Sequence, residues 1–569
     1  MKKGIFLTEQ RKKGLIFSVI VLLCLIFVEL MLGFNVGRFV IETILVLIFG
    51  ALSFFGLWQI SFDPENKNHK ISAVLLCLTC VLIAVLLSSA LCPKRESIAY
   101  PFENSVASYN PYEQQFDAFM KGQLNIDVKP SEELLKLENP YDPYQREGIY
   151  YLWDRAYYDG SYYSYFGIAP ILTVYYPYYL INRSLPSVDT VSAIFTVMTA
   201  LFFALSAVKL LSVMSKRVPL PLVWILTLGG LFATQVFLVM RGNARFYYIA
   251  ISSGMAFLSA FVWLLLCAIS GNFGLSGKKT DKKRHLALVL SGVMYGLCFL
   301  SRLNMALFGA FLVIPLLWFF VLRENVDGKG RFRPLKKIIV DLLCIGTPVI
   351  LAFAGQLIFN YLRFDSFLEF GTNYQLTVSD ISKNKLRLPD LGYAIFHYFL
   401  QPISFAENFP LPSLLYTRLE EYGHFVYVDT GMGLFTNPFF WLLFGGIFVV
   451  FDKTFDKRRG NAEKITYSSV ILGAVAVALM NFCLGGVIFR YTCDLTLLLS
   501  LAAIGVTFSL CDRKEKVGGE ASVAMGVNFA VTAMAVLGIF VAIGLAFSQN
   551  VNLTEYPTTT YEFFRNLFI

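Results

Sequence analysis

Apolar stretches of about 20 residues recur along almost the whole chain, and they constrain its fold more than any other feature. The 569 residues are 56% hydrophobic and only 15% charged, whereas soluble domains carry about 25% charged residues. Because a bilayer core offers no water to backbone polar groups, such stretches must form helices. The sequence therefore predicts an all-α polytopic membrane protein with about 13 transmembrane helices. The predicted spans are 14–34, 38–61, 71–92, 188–213, 219–240, 247–270, 286–302, 304–322, 338–362, 434–451, 465–489, 491–511 and 524–547.

Basic residues between the spans predict the orientation. Lysine and arginine concentrate in cytoplasmic loops, so we place the basic loops and the N-terminus in the cytoplasm. Two long segments, 93–187 and 363–433, then form large extracytoplasmic loops with juxtamembrane helices. The apolar stretch 165–181 is short and contains two prolines, so we expect a re-entrant or interfacial helix there. If this stretch crossed the membrane, every later basic loop would lie on the outer side instead of in the cytoplasm.

This pattern divides the chain into three parts. Residues 1–70 hold two transmembrane helices, residues 71–511 form a transmembrane core with both outer loops, and residues 512–569 supply a last helix and an outer tail. We expect a multi-pass protein of the cytoplasmic membrane. The net charge of +9 is spread over short loops between helices, so it does not indicate nucleic-acid binding.

The first outer loop gathers carboxylates and tyrosines beside the membrane. Asp142 lies between two nearby prolines that restrict its backbone. Asp154 follows Trp153 in a tyrosine-rich stretch that suits stacking on sugar rings. Partial desolvation beside aromatic rings and lipid would favour proton uptake, which a general base requires. The alternative is that these carboxylates only keep the loop hydrated.

Arginines at predicted helix ends form a second candidate set on the same outer side, against the usual charge distribution. They are Arg241, Arg245, Arg302, Arg363 and Arg490. Arginines persist near hydrocarbon when they are paired or bind an anion. One interpretation pairs Arg363 with Glu369, and likewise Arg490 with Asp494. The other is a site for a lipid phosphate or pyrophosphate, which a guanidinium binds through two parallel hydrogen bonds.

Metal and nucleotide chemistry receive little support from the sequence. His397 and His424 in the second outer loop have no other metal ligand at a recognisable spacing. The acidic loop could hold a divalent cation through Asp142 or Asp154, but no spacing requires one. The sequence has no glycine-rich phosphate loop, so an activated lipid or an ion gradient would have to supply energy.

Several short motifs resemble those of polytopic bacterial membrane glycosyltransferases of the GT-C fold superfamily, in particular glycosyltransferase 39-like enzymes. FNYLRFDSFLEFGTNYQLT, which contains Arg363 and Tyr374, is similar to their Asn-Tyr…Arg-Phe-Gly stretch, with Asp365 where glycine is usual. IFRYTCDL, which contains Arg490 and Tyr491, resembles their Arg-Tyr…Asp stretch. GLCFLSRLN matches their Gly…Ser-Arg helix end.

This resemblance covers most of residues 71–511 and implies an acidic catalytic residue in the first outer loop. Many members have that residue early in the loop, where this chain reads YNPYE. Glu113 or Asp117 would then take over the role. Otherwise Asp142 or Asp154 is the working base, or catalysis has been lost.

The leading hypothesis is inverting transfer of a sugar from a polyprenyl-phosphate carrier to an envelope glycan, lipid or protein. A carboxylate would deprotonate the acceptor hydroxyl, and arginines would stabilise the leaving phosphate. The candidate phosphate-binding residues are Arg146, Arg241, Arg245, Arg302, Arg363, Tyr374, Arg490 and Tyr491. A transporter or flippase of a lipid-linked or anionic substrate is one alternative. A non-catalytic membrane protein that binds envelope glycan is another.

Overall fold

The computed structural model describes residues 12, 16, 18–20, 36–91, 97–101, 110–214, 217–238, 246–318, 323–326, 329–383, 390–402, 415–419, 426–430, 432–451, 459–517 and 521–548. Most of them are helical. The helices in the first half are α1 (Val36–Phe54), α2 (Lys67–Leu91), α3 (Pro111–Met120), α4 (Glu132–Leu135), α5 (Tyr176–Asn182), α6 (Val188–Met214), α7 (Leu220–Ala233) and α8 (Phe246–Ser270). Those in the second half are α9 (Asp281–Ser301), α10 (Leu303–Leu316), α11 (Leu335–Phe364), α12 (Asp390–Ile395), α13 (Gly446–Phe451), α14 (Arg459–Gly485), α15 (Cys493–Val517) and α16 (Ala521–Ser548).

Short strands connect the helices. They are β1 (Ile98–Ala99), β2 (Ala156–Tyr158), β3 (Ser161–Tyr163), β4 (Ser184–Leu185), β5 (Arg323–Val326), β6 (Lys329–Phe332), β7 (Leu415–Leu419), β8 (Val426–Thr430) and β9 (Gly486–Ile488). Strand β1 pairs with β4, β2 with β3 and β5 with β6, all antiparallel. Strands β7, β8 and β9 form a three-stranded sheet in that order.

Eight helices in the described part of the chain are long and apolar enough to cross a membrane, which confirms the predicted polytopic all-α class. They are α2, α6, α8, α9, α11, α14, α15 and α16. The apolar segment of some of these helices begins or ends a few residues from the helix bounds given above. Shorter apolar helices, including α7 and α10, lie among them. The predicted first span, 14–34, falls almost wholly outside the described residues, so the count of about 13 stays a prediction.

Helix α8 is at the centre of the bundle and α11 at its periphery. In the most apolar part of α8, 94% of the residues are buried, against 17% in α11. Helix α8 packs against α6 and α9, and α9 packs in turn against α11. The α9–α11 crossing is close, because a Cβ atom at Gly292 would lie only 2.3 Å from the carbonyl oxygen of Ile345. Small residues permit this approach between membrane helices.

The segment 165–181 contains a short helical stretch. A turn of π-helix, Ile171–Tyr175, leads directly into α5. About 12 helical residues rise about 18 Å, which is less than the ~30 Å of a bilayer core. Leu172, Leu180 and Ile181 are exposed on this stretch. Its length and its exposed apolar residues fit the predicted interfacial helix.

Several helix ends meet at one side of the bundle. Helix α9 ends at Ser301 and α10 begins at Leu303, and Arg302 between them is extended, with φ −155° and ψ 107°. The N-terminal end of α8 and the C-terminal ends of α11 and α14 reach the same region, where their residues line one cavity. Segments of both predicted outer loops also contribute to the wall of this cavity.

Candidate functional site

A cavity of about 560 Å³ lies at this end of the bundle. Asp154 of the first outer loop and Gln375 of the second contribute to its wall. The helix ends contribute three arginines, which are Arg302, Arg363 and Arg490. The structure therefore brings together one predicted carboxylate and three of the predicted outer arginines. Phe299, Met480 and Leu484 are among the apolar residues of the wall.

A small β structure joins the two outer loops and carries Asp154. Strands β2 and β3 form a hairpin whose turn residues, Asp159 and Gly160, have φ of 45° and 68°. Positive φ at both turn positions is the property of a type I′ hairpin, which Asp-Gly favours. Residues 374–377 of the second loop run along the other side of β2. Their backbone bonds are Tyr157 N–H to Tyr374 O, Leu376 N–H to Arg155 O and Asp154 N–H to Leu376 O, each 2.9 Å.

Asp154 is buried, with 6% of its surface exposed, and its backbone has a left-handed φ of 60°. Its Oδ1 accepts a hydrogen bond from Nε2 of Gln375. Tyr247, from the first turn of α8, also lies close to this carboxylate. Burial, and next the negative charge of Asp154, raise the pKa of Tyr165 well above its usual value, so Tyr165 keeps its hydroxyl proton. An amide donor and two tyrosines therefore lie around this carboxylate at the cavity wall.

Arg302 forms an ion pair with a carboxylate. Its Nε and Nη2 donate to the two carboxylate oxygens of Asp494, and the Nη2–Oδ2 distance is 2.8 Å. Asn481 Nδ2 also donates to Oδ2 of Asp494, at 3.1 Å. The predicted pairing of Asp494 with Arg490 is therefore wrong. The reason is local: residues 489–492 form a 3₁₀ turn before α15, so the two side chains do not share a regular helix face.

Arg363 is held by neutral oxygens. Its Nη1 donates to the carbonyl of Ser164 at 2.6 Å and its Nη2 to Oδ1 of Asn360 at 3.1 Å. The predicted ion pair with Glu369 does not form, because Glu369 accepts instead from Gly371 N–H at 2.7 Å and from Asn373 Nδ2 at 2.6 Å. Glu369 itself lines the cavity and is a carboxylate that the candidate set missed.

Arg490 differs from the other two arginines. Its guanidinium lies over the ring of Tyr247, at 4.9 Å from the centroid, and 5.4 Å from that of Tyr491. Such cation–π contacts use the face of the guanidinium and leave its N–H edge free. Within the described residues, Arg490 has no carboxylate at ion-pair distance and no hydrogen-bond acceptor. It is the cavity arginine best able to bind an anion.

The remaining predicted carboxylates lie outside the described cavity wall. Oδ1 of Asp142 accepts from the backbone N–H of Tyr144 at 3.0 Å, which stabilises a turn. Glu113 and Asp117 are buried on α3. Glu113 accepts from Asn110 Nδ2 at 2.7 Å, and Asp117 pairs with Lys121 at 2.9 Å. Each of these three carboxylates accepts a hydrogen bond or pairs within the first outer loop.

Two predicted phosphate-binding residues also lie away from the described wall, in the outer loops. Arg146 is 2% exposed, donates to the carbonyl of Thr377 at 2.6 Å and lies 4.5 Å from the Tyr151 ring centroid. Burial lowers the pKa of Arg146. Tyr374 packs against Tyr158, with ring centroids 4.7 Å apart. Both residues hold the two loops together.

Five further residues and a possible cation site complete the set of predictions. Tyr491 lines the cavity. Arg241, Arg245 and His424 lie outside the described residues. His397 is hydrogen-bonded to Gln401 at 2.5 Å. Among the described residues, no three His, Cys, Asp or Glu side chains are grouped to hold a metal ion, so a divalent cation stays a prediction.

Gln375, Tyr247 and Asp494 are cavity or support residues that the sequence did not single out as site residues. Two of them lie in stretches that were noted for their arginines: Tyr247 in RGNARFYY and Asp494 in IFRYTCDL. Their closeness in sequence to those arginines could have identified both residues as site candidates. For Gln375 the only signal was its position directly after Tyr374 in the quoted motif.

No family model matches this chain, and no match is found among curated proteins. Among solved structures, it is similar to the apo oligosaccharyltransferase of Archaeoglobus fulgidus, with 13% identity over 87% of this chain and a TM-score of 0.40. It is also similar to that protein tethered to an acceptor peptide, with 13% identity over 85% of this chain and a TM-score of 0.39. The chain spans 60% and 57% of those solved chains. At TM-scores this low, we base no functional conclusion on either similarity.

Proposed function

We propose that this chain is a membrane glycosyltransferase that moves a sugar from a polyprenyl-phosphate carrier to an envelope acceptor. We place the reaction at the outer face of the cytoplasmic membrane, where the basic-loop pattern puts both long loops. The observation that supports this proposal most is that Asp154 and Arg490 line the same cavity at the ends of apolar helices. The sequence resemblance to GT-C enzymes supports the same class.

The cavity suits a sugar phosphate headgroup. Small-molecule sites are typically 300–1,000 Å³, so about 560 Å³ accommodates such a group but not a whole polyprenyl chain. Arg490 would bind the phosphate through its free N–H edge. Apolar wall residues such as Met480 and Leu484 would contact the first part of the lipid. The rest of the carrier would stay in the bilayer.

The chemistry is a direct displacement. Asp154 takes the proton of an acceptor hydroxyl while the acceptor oxygen bonds to the anomeric carbon of the sugar. The bond from that carbon to the phosphate oxygen breaks, and its electron pair leaves with the polyprenyl phosphate. Arg490 stabilises the charge that develops on this oxygen. Attack opposite the leaving group inverts the anomeric configuration.

The test compares polyprenyl-linked lipids by mass spectrometry in cells that lack the protein and in cells that carry variants. We expect Asp154→Asn to accumulate the donor lipid as the deletion does, since loss of a general base slows transfer about 10²–10⁴-fold. Asp142→Asn is the matched control, because Asp142 belongs to the same loop but supports a turn. A wild-type lipid profile in Asp154→Asn, at equal abundance in the membrane, would refute the proposal.

A further inference from the structure

The carboxylate of Asp154 is held by a side chain from the other outer loop. Gln375, whose Nε2 donates to Asp154 Oδ1, is 221 residues away in the chain. The backbone bonds of Tyr374 and Leu376, on either side of Gln375, fix its position along β2. Gln375 is itself buried, with 9% of its surface exposed. The backbone of Gln375 is therefore fixed beside the carboxylate that its amide contacts.

We propose that Gln375 is a positioning residue for Asp154 and that the second outer loop thereby completes the reactive site. The inference deepens the proposed function and rests on it for the role of Asp154 as a base. A neutral amide donor stabilises the ionised form of a carboxylate. Because a carboxylate has about four acceptor sites, the bond to Gln375 orients the group and leaves capacity for the acceptor hydroxyl.

The other polar groups that face Asp154 come from several elements. Arg490 acts from the turn before α15, Tyr247 from α8, and Tyr165 from the segment before α5. Arg155 follows Asp154 directly and donates to Gln114 at 2.9 Å. Gln375 carries no charge. Its replacement by an apolar residue therefore removes one donor while every charge around Asp154 stays in place.

The experiment measures the protonation of Asp154 directly by isotope-edited infrared titration of the purified full-length protein with ¹³C-labelled aspartate. Subtraction of the Asp154→Asn spectrum isolates its signal. We expect Gln375→Leu to raise the pH at the midpoint of the Asp154 titration by about one unit, since the ionised form loses one hydrogen bond. Gln114→Leu is the matched control, because Gln114 is also buried and accepts a hydrogen bond from Arg155, the residue next to Asp154. An unchanged titration in Gln375→Leu overturns the proposal.

A second variant covers the case in which Gln375→Leu does not fold. Gln375→Met keeps the length of the side chain but lacks its amide donor, so it should raise the pH at which Asp154 takes up a proton as Gln375→Leu does. A titration of Asp154 in Gln375→Met equal to that of the wild type also overturns the proposal.

The two proposals fail in different ways. If Asp154→Asn keeps a wild-type lipid profile while Gln375→Leu still shifts the titration, the proposed function fails and the positioning contact stands. If both proposals hold, the acidic limb of the pH–rate profile for sugar transfer moves upward in Gln375→Leu. A purely structural defect would lower the rate at every pH and leave that limb in place.

Discussion

Replacement of Asp494 by asparagine should destabilise the protein more than any surface charge mutation. The Asp494 side chain is fully buried, at 0% exposure, and that of Arg302 is 16% exposed. The two carboxylate oxygens of Asp494 accept hydrogen bonds from Nε and Nη2 of Arg302. Nδ2 of Asn481 donates a third hydrogen bond, at 3.1 Å. Asn481 also accepts from Asn304 of α10, so the carboxylate links α10, α14 and α15.

Loss of one partner of a buried ion pair costs about 3–5 kcal/mol, because the other charge stays buried without compensation. Arg302 keeps a cation–π contact with Tyr491, at 5.0 Å, which offsets about 0.5–2 kcal/mol. Asparagine also retains one acceptor oxygen. We therefore expect Asp494→Asn to lower the free energy of unfolding by about 3 kcal/mol, at the lower end of the range.

The assay is SDS-induced unfolding in detergent micelles, followed by circular dichroism. Lys136→Gln is the control, because Lys136 and its partner Glu132 are 77% and 87% exposed and such pairs contribute less than about 1 kcal/mol. In the double variant Arg302→Gln/Asp494→Asn the loss should be smaller than the sum of the two single losses. If Asp494→Asn destabilises no more than Lys136→Gln, or if the two losses simply add, the pairing argument is refuted.

Two further predictions concern the cavity and the helix packing. Arg490→Gln should weaken binding of polyprenyl phosphate about 10- to 100-fold, because a charge-assisted contact contributes about 1.5–3 kcal/mol, and native mass spectrometry of the protein in nanodiscs measures it. Arg183→Gln is the control, and equal affinity of both variants contradicts the role of Arg490. Gly292→Ala should reduce stability by about 1–3 kcal/mol, since its Cβ would meet the carbonyl of Ile345 at 2.3 Å. Gly346→Ala, where no atom lies within 4 Å, should be neutral or stabilising, and a loss equal to that of Gly292→Ala contradicts the close crossing.

The helical architecture could be predicted because it follows from local composition. Runs of about 20 apolar residues can only be helices in a bilayer, and the break at Arg302 between two predicted spans appears one residue from the expected point. The distribution of basic residues also predicted Arg302, Arg363 and Arg490 on the same side of the membrane. All three line the cavity.

The partners of these arginines could not be predicted, because they depend on contacts that are distant in the chain. Arg302 and Asp494 are 192 residues apart, and the nearer candidate, Arg490, has its side chain redirected by a 3₁₀ turn. The choice between Asp142 and Asp154 had the same obstacle. The pairing of residues 374–377 with β2 places Gln375 beside Asp154 at the cavity wall, and no local sequence pattern predicts that pairing.

The charges of the cavity fit the proposed reaction. Arg302, Arg363 and Arg490 bring three guanidinium groups to the cavity, the carboxyl groups of Asp154 and Glu369 line it, and Asp494 is paired with Arg302. A polyprenyl-phosphate sugar is a phosphodiester with one negative charge, and its departing monoester gains a second. If Asp154 takes the acceptor proton, the cavity becomes more positive by one charge in the same step. The charge that appears on the leaving group is then compensated inside the site, where low dielectric strengthens the interaction. An asparagine at position 154 cannot make this change, so we expect it to lower the rate of transfer.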